Sequence, residues 1–465
     1  MNLSATITDS LGHTGRKPGA SGWATADFLQ HLKVLFSGPR SGRVHTMVFR
    51  ARLDWPLGWS AADQSAPRLR FTRPGGLVSE AIGVAAQCPI TTIAFLPIGT
   101  QDFAPDWHVI DSIEAWMASV EAPANCAVYA EFPQWRQGAL HVPIQVWLPR
   151  IWLSELPDRT TEIAVVCDNT TSAEDTLLQV ETALTAARSK SDVLPVEIHV
   201  NSAINMDLSG LSSALEYVTA GGDQAKLVWA TQLPWRPNTS RLKLADNIKH
   251  NRTDSWQIDV QLADRRNALC ASPELLVCAR GLAIATAALA GTVSGKLINQ
   301  NDKLRLEHQI VCQDIKQRLA ALGVQWQTPA ETTTVQHGEL LHWRTAMDGE
   351  RPPELSALRA ALALHPTPAL LGSPRLTALQ ALPIHEQFCR TWYGGFAGVL
   401  AADGSGDGEL AVLLRGAALD TDVAPPRWQI CVGAGLVAGS TFAGESAEIA
   451  QKLQSVLDGF GDGQR

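Results

Sequence analysis

The chain has 465 residues, 45% of them hydrophobic and 18% charged, with a mean hydropathy of −0.01. That length and balance describe a globular chain able to bury a large core. Its formal net charge of −8, with no basic stripe or tail, argues against nucleic acid as a partner.

Residues 1–22 carry no apolar signal-peptide core and read as a flexible tail. From 40 to 155 the pattern is strand-like: VHTMVFRARL, LRFTRPGGLVSEAIGVAAQ and ALHVPIQVWLPRIWL are apolar or alternating runs cut by Gly and Pro. SAEDTLLQVETALTAAR (172–188) opens with a Ser-x-x-Asp cap signal and predicts a helix, and a second helix is expected around 206–219. KLVWATQLPW (226–235) predicts a strand, and ASPELLVCAR (271–280) and IATAALAGT (284–292) predict strands meeting at Gly281. The stretch from Leu275 to Gly291 is the most apolar, but Arg280 and Gly281 interrupt it, so no membrane span is expected.

DKLRLEHQIVCQDIKQRLAAL (302–322) is an amphipathic helix ended by Gly323. Its apolar stripe runs through Leu304, Val311, Ile315 and Leu322, with Leu319 beside it. Glu307 lies on that stripe, three residues after Leu304 and four before Val311. A carboxylate there needs a cation, and a structural ion pair is the plain reading. Residues 396–419 predict a hairpin turning at Gly404, Gly406 and Gly408. Next comes CVGAGLVAGSTFAGESAEIAQKL (431–453), in which a glycine-rich turn leads into a helix with Glu445 and Glu448 on one face of its first turn and Lys452 four residues further on. Such a turn is often only solvated and dipole-compensating. The preceding Gly433-Ala434-Gly435, however, allows close approach of the backbone to a ligand. Three carboxylates from two helices would suit a hard ion such as Mg²⁺.

Two other features carry nothing. GTVSGKL (291–297) has the wrong glycine spacing for a phosphate loop and Leu297 where Ser or Thr must stand, and no HExxH occurs. The eight cysteines, at 88, 126, 167, 270, 278, 312, 389 and 431, form no CxxC pair and read as reduced core thiols of a cytoplasmic protein. Strands far apart in sequence, without regular helical crossovers, predict an α+β body with large antiparallel sheets, and no strong linker divides it.

An ordered set of segments then resembles the chorismate-utilising enzymes, in their isochorismate synthase and salicylate synthase branch. The set is KLVWA, ASPELL, LAGT, KLRLEHQIV, LHWRTAMDG, HPTPALLGSPR, RTWYGGFAG, ELAVLLRGAAL and GAGLVAGSTFAGESAEIAQKL, covering roughly 220–457. The resemblance implies antiparallel sheets packed face to face with helices outside. It also implies a single chorismate-binding domain over 23–465, with a variable half (23–205) and a catalytic half (206–465).

Residue by residue, the resemblance implies Lys226 as general base and Glu274 as general acid. Glu307 and Glu448 would be Mg²⁺ ligands, with Glu445 close behind. Arg415 would clamp a substrate carboxylate; Tyr393, Lys452 and the backbone of Gly433, Ala434 and Gly435 would hold the enolpyruvyl carboxylate; Thr292, His342 and Thr367 would line the pocket. Glu386 matches a glutamate ahead of the family's aromatic motif. A lysine at 226, with none in Leu289–Thr292, points to water rather than ammonia as nucleophile and so to isochorismate. Cleavage onward to salicylate, or a catalytically weak chorismate-binding homologue, are the other readings. Neither nucleic acid nor membrane is an expected partner, and family members are monomers or weak dimers.

The departures are Thr231 in place of an Arg, Leu304 and Leu306 in place of an Asp and a His, Cys389 in place of an Asp, and a short segment over 293–306.

Overall fold

The structure is a computed structural model. It describes residues 6–8, 14–16, 47–53, 67–120, 125–136, 138–167, 175, 177–182, 206–222, 225–237, 239–264, 266–293, 302–327, 331–421 and 426–461. Among these, two large antiparallel sheets dominate. One runs Gln325–Trp326, Leu340–Glu350, Ala283–Val293, Leu275–Arg280, Gly408–Val412, Phe396–Ala401, Asn125–Ala130, Ala139–Leu148, Thr92–Ile98 and Asp102–Pro105 in spatial order. The other runs Gly372–Ser373, Lys226–Trp235, Arg427–Leu436, Gly416–Asp420, Asn267–Ser272, Trp256–Gln261, Arg68–Thr72, Val78–Ile82, Ile151–Glu155, Thr161–Cys167 and Met47–Leu53. One continuous apolar core joins residues of both sheets, from Phe71 and Ile258 to Val128 and Phe396. The expected α+β class with large antiparallel sheets is what the chain adopts.

Two of the crossings between the sheets lie side by side. Asn267–Ser272 belongs to one sheet and Leu275–Arg280 to the other, so Pro273 and Glu274 form the step between them. Gly408–Val412 and Gly416–Asp420 are divided in the same way, so Leu413, Leu414 and Arg415 form a second step. The steps touch, because the Val412 amide donates to the Glu274 carbonyl and the Ala271 amide to the Arg415 carbonyl. Each step lifts a polar side chain out of a regular strand and into the space where the sheets meet.

Several expected elements form where the pattern placed them. Lys226–Trp235 is a strand, Gly281 (φ 56°) turns the chain between Leu275–Arg280 and Ala283–Val293, and Phe396–Ala401 pairs with Gly408–Val412. The helix Asp302–Ala321 buries Leu304, Val311, Ile315 and Leu319, together with Glu307. It stops at Gly323 (φ 89°), whose left-handed backbone lets the Val324 amide return to the Leu319 carbonyl. The second expected helix forms over Leu211–Gly221. Of the helix expected over 172–188, residues 175 and 177–182 are helical and the rest lie outside the described residues.

Three expectations are corrected. Residues 107–119 are a helix rather than part of a strand-like run: Asp106 caps the His108 amide, and Ile110, Ile113 and Met117 form a buried stripe. Gly433-Ala434-Gly435 is not a turn but lies within the extended strand Arg427–Leu436. The C-terminal helix begins at Phe442, capped by Thr441 accepting from the Gly444 amide, so Glu448 stands in its second turn rather than its first. Of the residues expected as a tail, 6–8 and 14–16 form a small antiparallel pair, and the others of 1–22 lie outside the described residues. Cys88, Cys126, Cys270 and Cys431 are buried free thiols, whereas Cys389 is exposed.

Candidate active site

A cavity opens where the two crossings meet the strands Lys226–Trp235, Ala283–Val293 and Arg427–Leu436. Glu274 and Arg415 come into it from the crossings, Thr292 and His342 from one sheet, and Gly433 and Gly435 from the other. Glu307, Lys452 and Tyr393 complete its polar wall, with Val228, Leu289, Leu370, Leu414 and Val432 supplying apolar surface.

Thr292 reaches the cavity through a bulge. The register between Ala283–Val293 and Leu340–Glu350 slips between Ala290 and Thr292, where Gly291 adopts φ 77°. The slip sets Thr292 opposite His342, and its hydroxyl lies 3.1 Å from His342 Nδ1. On the other side of the ring, His342 Nε2 lies 3.3 Å from an Arg415 amino group. Burial, then the positive charges of Arg415 and Lys452, hold the imidazole well below its ordinary range, so at neutral pH it is uncharged. Arg415 has a positive φ of 54°, rare for a side chain of its size. Burial draws its guanidinium down to about 10, which leaves it cationic at neutral pH.

Glu274 is buried, and burial pushes its carboxyl up to about 7 against the pull of Lys226. The Thr367 hydroxyl donates to it across 3.4 Å, which places Thr367 behind Glu274 rather than on the cavity wall. Lys226 is fully buried at the start of its strand, where burial lowers its ammonium while Glu307 works to raise it. The two form an ion pair of 3.2 Å. Lys226 does not itself line the cavity but reaches it through Glu307, which does.

The remaining acidic residues gather around lysines. Lys452 bridges Glu448 at 2.7 Å and the Gly433 carbonyl at 2.8 Å. Lys303 lies 2.8 Å from Glu445 and 3.7 Å from Glu448. Burial works to raise the Glu307 carboxyl, and the charges of Lys226, Lys303 and Lys452 outweigh it and hold it low. Glu445, by contrast, is raised by burial and by Glu448, with Lys303 opposing. Glycine at 435 is a steric requirement: a Cβ there would come within 2.0 Å of Glu307 Oε1 and 3.2 Å of Lys226 Cε. Ala434 points to the other face of that strand and packs in the core, so its side chain takes no part in the wall.

Among the described residues, no group of three or more His, Cys, Asp or Glu side chains stands ready to enclose an ion. The donor set nevertheless fits a hard divalent cation. Glu307 Oε2 and Glu445 Oε2 are buried oxygens without a hydrogen-bond partner, and a third carboxylate, Glu448, is close at hand.

Glu386 lies outside the site. It pairs with Arg390 and accepts from the Ala230 amide at 2.8 Å, while Arg390 donates to the Val228 and Leu370 carbonyls. That pair ties the strand carrying Lys226 to the segment leading to Tyr393. Among the departures, Leu304 fits against Gly291 and packs with Trp343, and Thr231 is buried in its strand away from the cavity. Residues 294–301 lie outside the described residues.

The sequence reading did not name Lys303 or His308. A signal for the first existed: Lys303 precedes Glu307 by one helical turn, a spacing that pairs opposite charges. His308, beside Glu307, bonds the Thr345 hydroxyl at 2.7 Å, and burial brings its imidazole down to about 4. Nothing in its flanking residues distinguished it from a core histidine.

The chain belongs to the chorismate binding enzymes, whose family model matches residues 135–461. It is 33% identical over 218 residues to isochorismate synthase EntC of Escherichia coli K12, a match covering 44% of this chain and 54% of that protein. It is 27% identical over 410 residues to isochorismate synthase MenF of Pasteurella multocida, covering 80% and 92%. The chain thus spans about half the length of the E. coli EntC relative and nearly all of the Pasteurella one. Its fold matches that of MenF, the menaquinone-specific isochorismate synthase from E. coli, with a TM-score of 0.69 over 93% of this chain and 98% of that one, at 20% identity. It also matches anthranilate synthase component I from Streptococcus pneumoniae, with a TM-score of 0.54 over 98% and 90%, at 16% identity. No helix among the described residues is long and apolar enough to cross a membrane.

Proposed function

We propose that this chain converts chorismate to isochorismate: water adds to the ring carbon beside the one bearing the carboxylate, and the ring hydroxyl two positions further on leaves as water. The observation that carries the reading is a pair of buried groups, Lys226 and Glu274, each moved by burial toward neutral pH from opposite directions, with the Arg415 cation between the sheets beside them. A lysine whose ammonium is disfavoured by burial can take a proton from water once the hold of Glu307 on it is relaxed, and an acid near 7 can hand one to a departing hydroxyl. The names of the sequence relatives support this choice of reaction.

In the reaction, Lys226 removes a proton from the attacking water, and Glu274 protonates the hydroxyl as it leaves, so the proton count balances. Arg415 offers a planar two-pronged donor to a substrate carboxylate. Tyr393, Lys452 and the backbone at Gly433 and Gly435 hold the enolpyruvyl arm, while neutral His342, fixed by Thr292, lines the ring's side. Glu307, Glu448 and Glu445 would hold Mg²⁺. When bound, the ion supplies positive charge that neutralises and orients the ring carboxylate. The absence of lysine from Leu289–Thr292 favours water over an amine as the entering group.

The test is incubation of the pure protein with chorismate and Mg²⁺, followed by resolution of the products. Isochorismate alone supports the proposal. Salicylate with pyruvate would show onward cleavage, and bound but unchanged chorismate would show a binding protein.

A further inference from the structure

The acidic cluster already contains a cation of the protein's own. Lys303 Nζ is held by Glu445 at 2.8 Å and Glu448 at 3.7 Å. Its neighbours Lys226 and Lys452 are differently placed. Lys226 is wholly enclosed at the start of a sheet strand, and Lys452 is fastened to the Gly433 carbonyl as well as to Glu448. Lys303 sits at the second residue of its helix with 16% of its side chain exposed, and its partners among the described residues are carboxylates alone. It is the ammonium best able to leave, since an unbranched stem needs only a few torsions to carry its head into water.

Charge makes departure necessary. Lys226, Lys303 and Lys452 balance Glu307, Glu445 and Glu448, so the cluster is formally neutral as it stands. A divalent ion added beside an ammonium that stayed would be repelled at contact distance in a site with little water to screen it. The two buried carboxylate oxygens that lack partners, on Glu307 and Glu445, show that one ammonium does not saturate the donors.

We propose that Lys303 is a tethered counter-cation, which holds the three carboxylates together in the metal-free protein and must swing out when a divalent ion enters. This rests on the proposed reading of the carboxylates as a metal site and adds to it a competitor within the chain. The lysine therefore sets how tightly the ion binds: it protects the empty site from self-repulsion and weakens metal affinity in exchange.

The experiment compares the full chain with Lys303→Met and Lys303→Arg, titrating Mg²⁺ alone by calorimetry and recording melting temperature in EDTA. The proposal expects Lys303→Met to bind Mg²⁺ about tenfold more tightly than the parent, to melt lower in EDTA, and to regain that loss when Mg²⁺ is added. Lys303→Arg should remain close to the parent in both measurements. A merely structural lysine would give the opposite sign, because its loss would loosen the ligands and weaken the metal. Equal affinity in parent and Lys303→Met would overturn the counter-cation while leaving the metal site standing. Absence of Mg²⁺ binding in all three proteins would remove the metal site, and this proposal with it. Should Lys303→Met fail to fold, Lys303→Gln carries the same expectations.

Discussion

Lys226 Nζ lies 3.2 Å from Glu307 Oε1, both groups buried, so the proposed base and a proposed metal ligand share one ion pair. A lysine cannot accept a proton while it is held as an ammonium by a neighbouring carboxylate. Anything that draws charge from Glu307 therefore favours the neutral amine.

Lys226→Ala is expected to lower turnover by about 10²–10⁴-fold while leaving chorismate binding nearly intact. Single-turnover rates and equilibrium binding, measured on the same preparation, separate the two effects. An unchanged rate would remove the lysine from its role.

Glu274→Gln should abolish the proton donor and change stability in a pH-dependent way. Glu274 holds its proton up to about 7 in the folded chain, against an ordinary value of 4.5. Folding therefore takes up a proton between those values, and this residue's contribution to stability falls as pH rises through the window. The variant should thus match the parent at pH 4 and exceed it at pH 8 by about 1–3 kcal/mol, read from denaturant unfolding at the two pH values. In the parent, kcat should decline above about pH 7 as the donor ionises. A flat profile through pH 9 would exclude the assignment.

Gly435→Ala should displace Glu307, because the added methyl would meet its carboxylate oxygen at 2.0 Å. The strand itself accepts alanine, since Ala434 next to it is extended and buried. The expected result is a folded protein destabilised by about 1–3 kcal/mol with a strongly raised Mg²⁺ requirement. Mg²⁺ titrations like those of the parent would show that Glu307 is not needed where it stands.

Glu386→Ala should act on the fold and not on the chemistry. It strands Arg390 as an unpaired buried charge, a change that costs about 3–5 kcal/mol. Thermal unfolding should register the loss. Where the variant remains folded, its Mg²⁺ dependence should be that of the parent, and a selective change in metal demand would count against a structural role.

Much of the catalytic half was legible because its signals are local. The stripe of Asp302–Ala321 puts Glu307 inward, and the gap at Gly281 marks a hairpin. Other features were hidden for identifiable reasons. The helix Ala357–Leu364 buries every residue except Arg359, and one polar position in eight residues sets no readable period. Trp107–Ser119 did carry a stripe, but it lies among strand-like runs that dominated the reading. The pairing of Asn125–Ala130 with Phe396–Ala401 joins segments nearly 270 positions apart, and no local pattern encodes such a partner. The resemblance named the site residues. The order in which lysines and carboxylates interleave is a tertiary property, because it depends on which ammonium each acid reaches.

The adjacent crossings at 273–274 and 413–415 act as rivets through both layers of the body. A proton donor and an anion clamp mounted on the same pair of rivets cannot drift apart unless the layers slide over each other. The edge strand Met47–Leu53, at the far end of its sheet from those steps, can therefore be altered with little effect on the spacing between Glu274 and Arg415. An engineer seeking a new substrate should remodel the walls and leave those two steps alone.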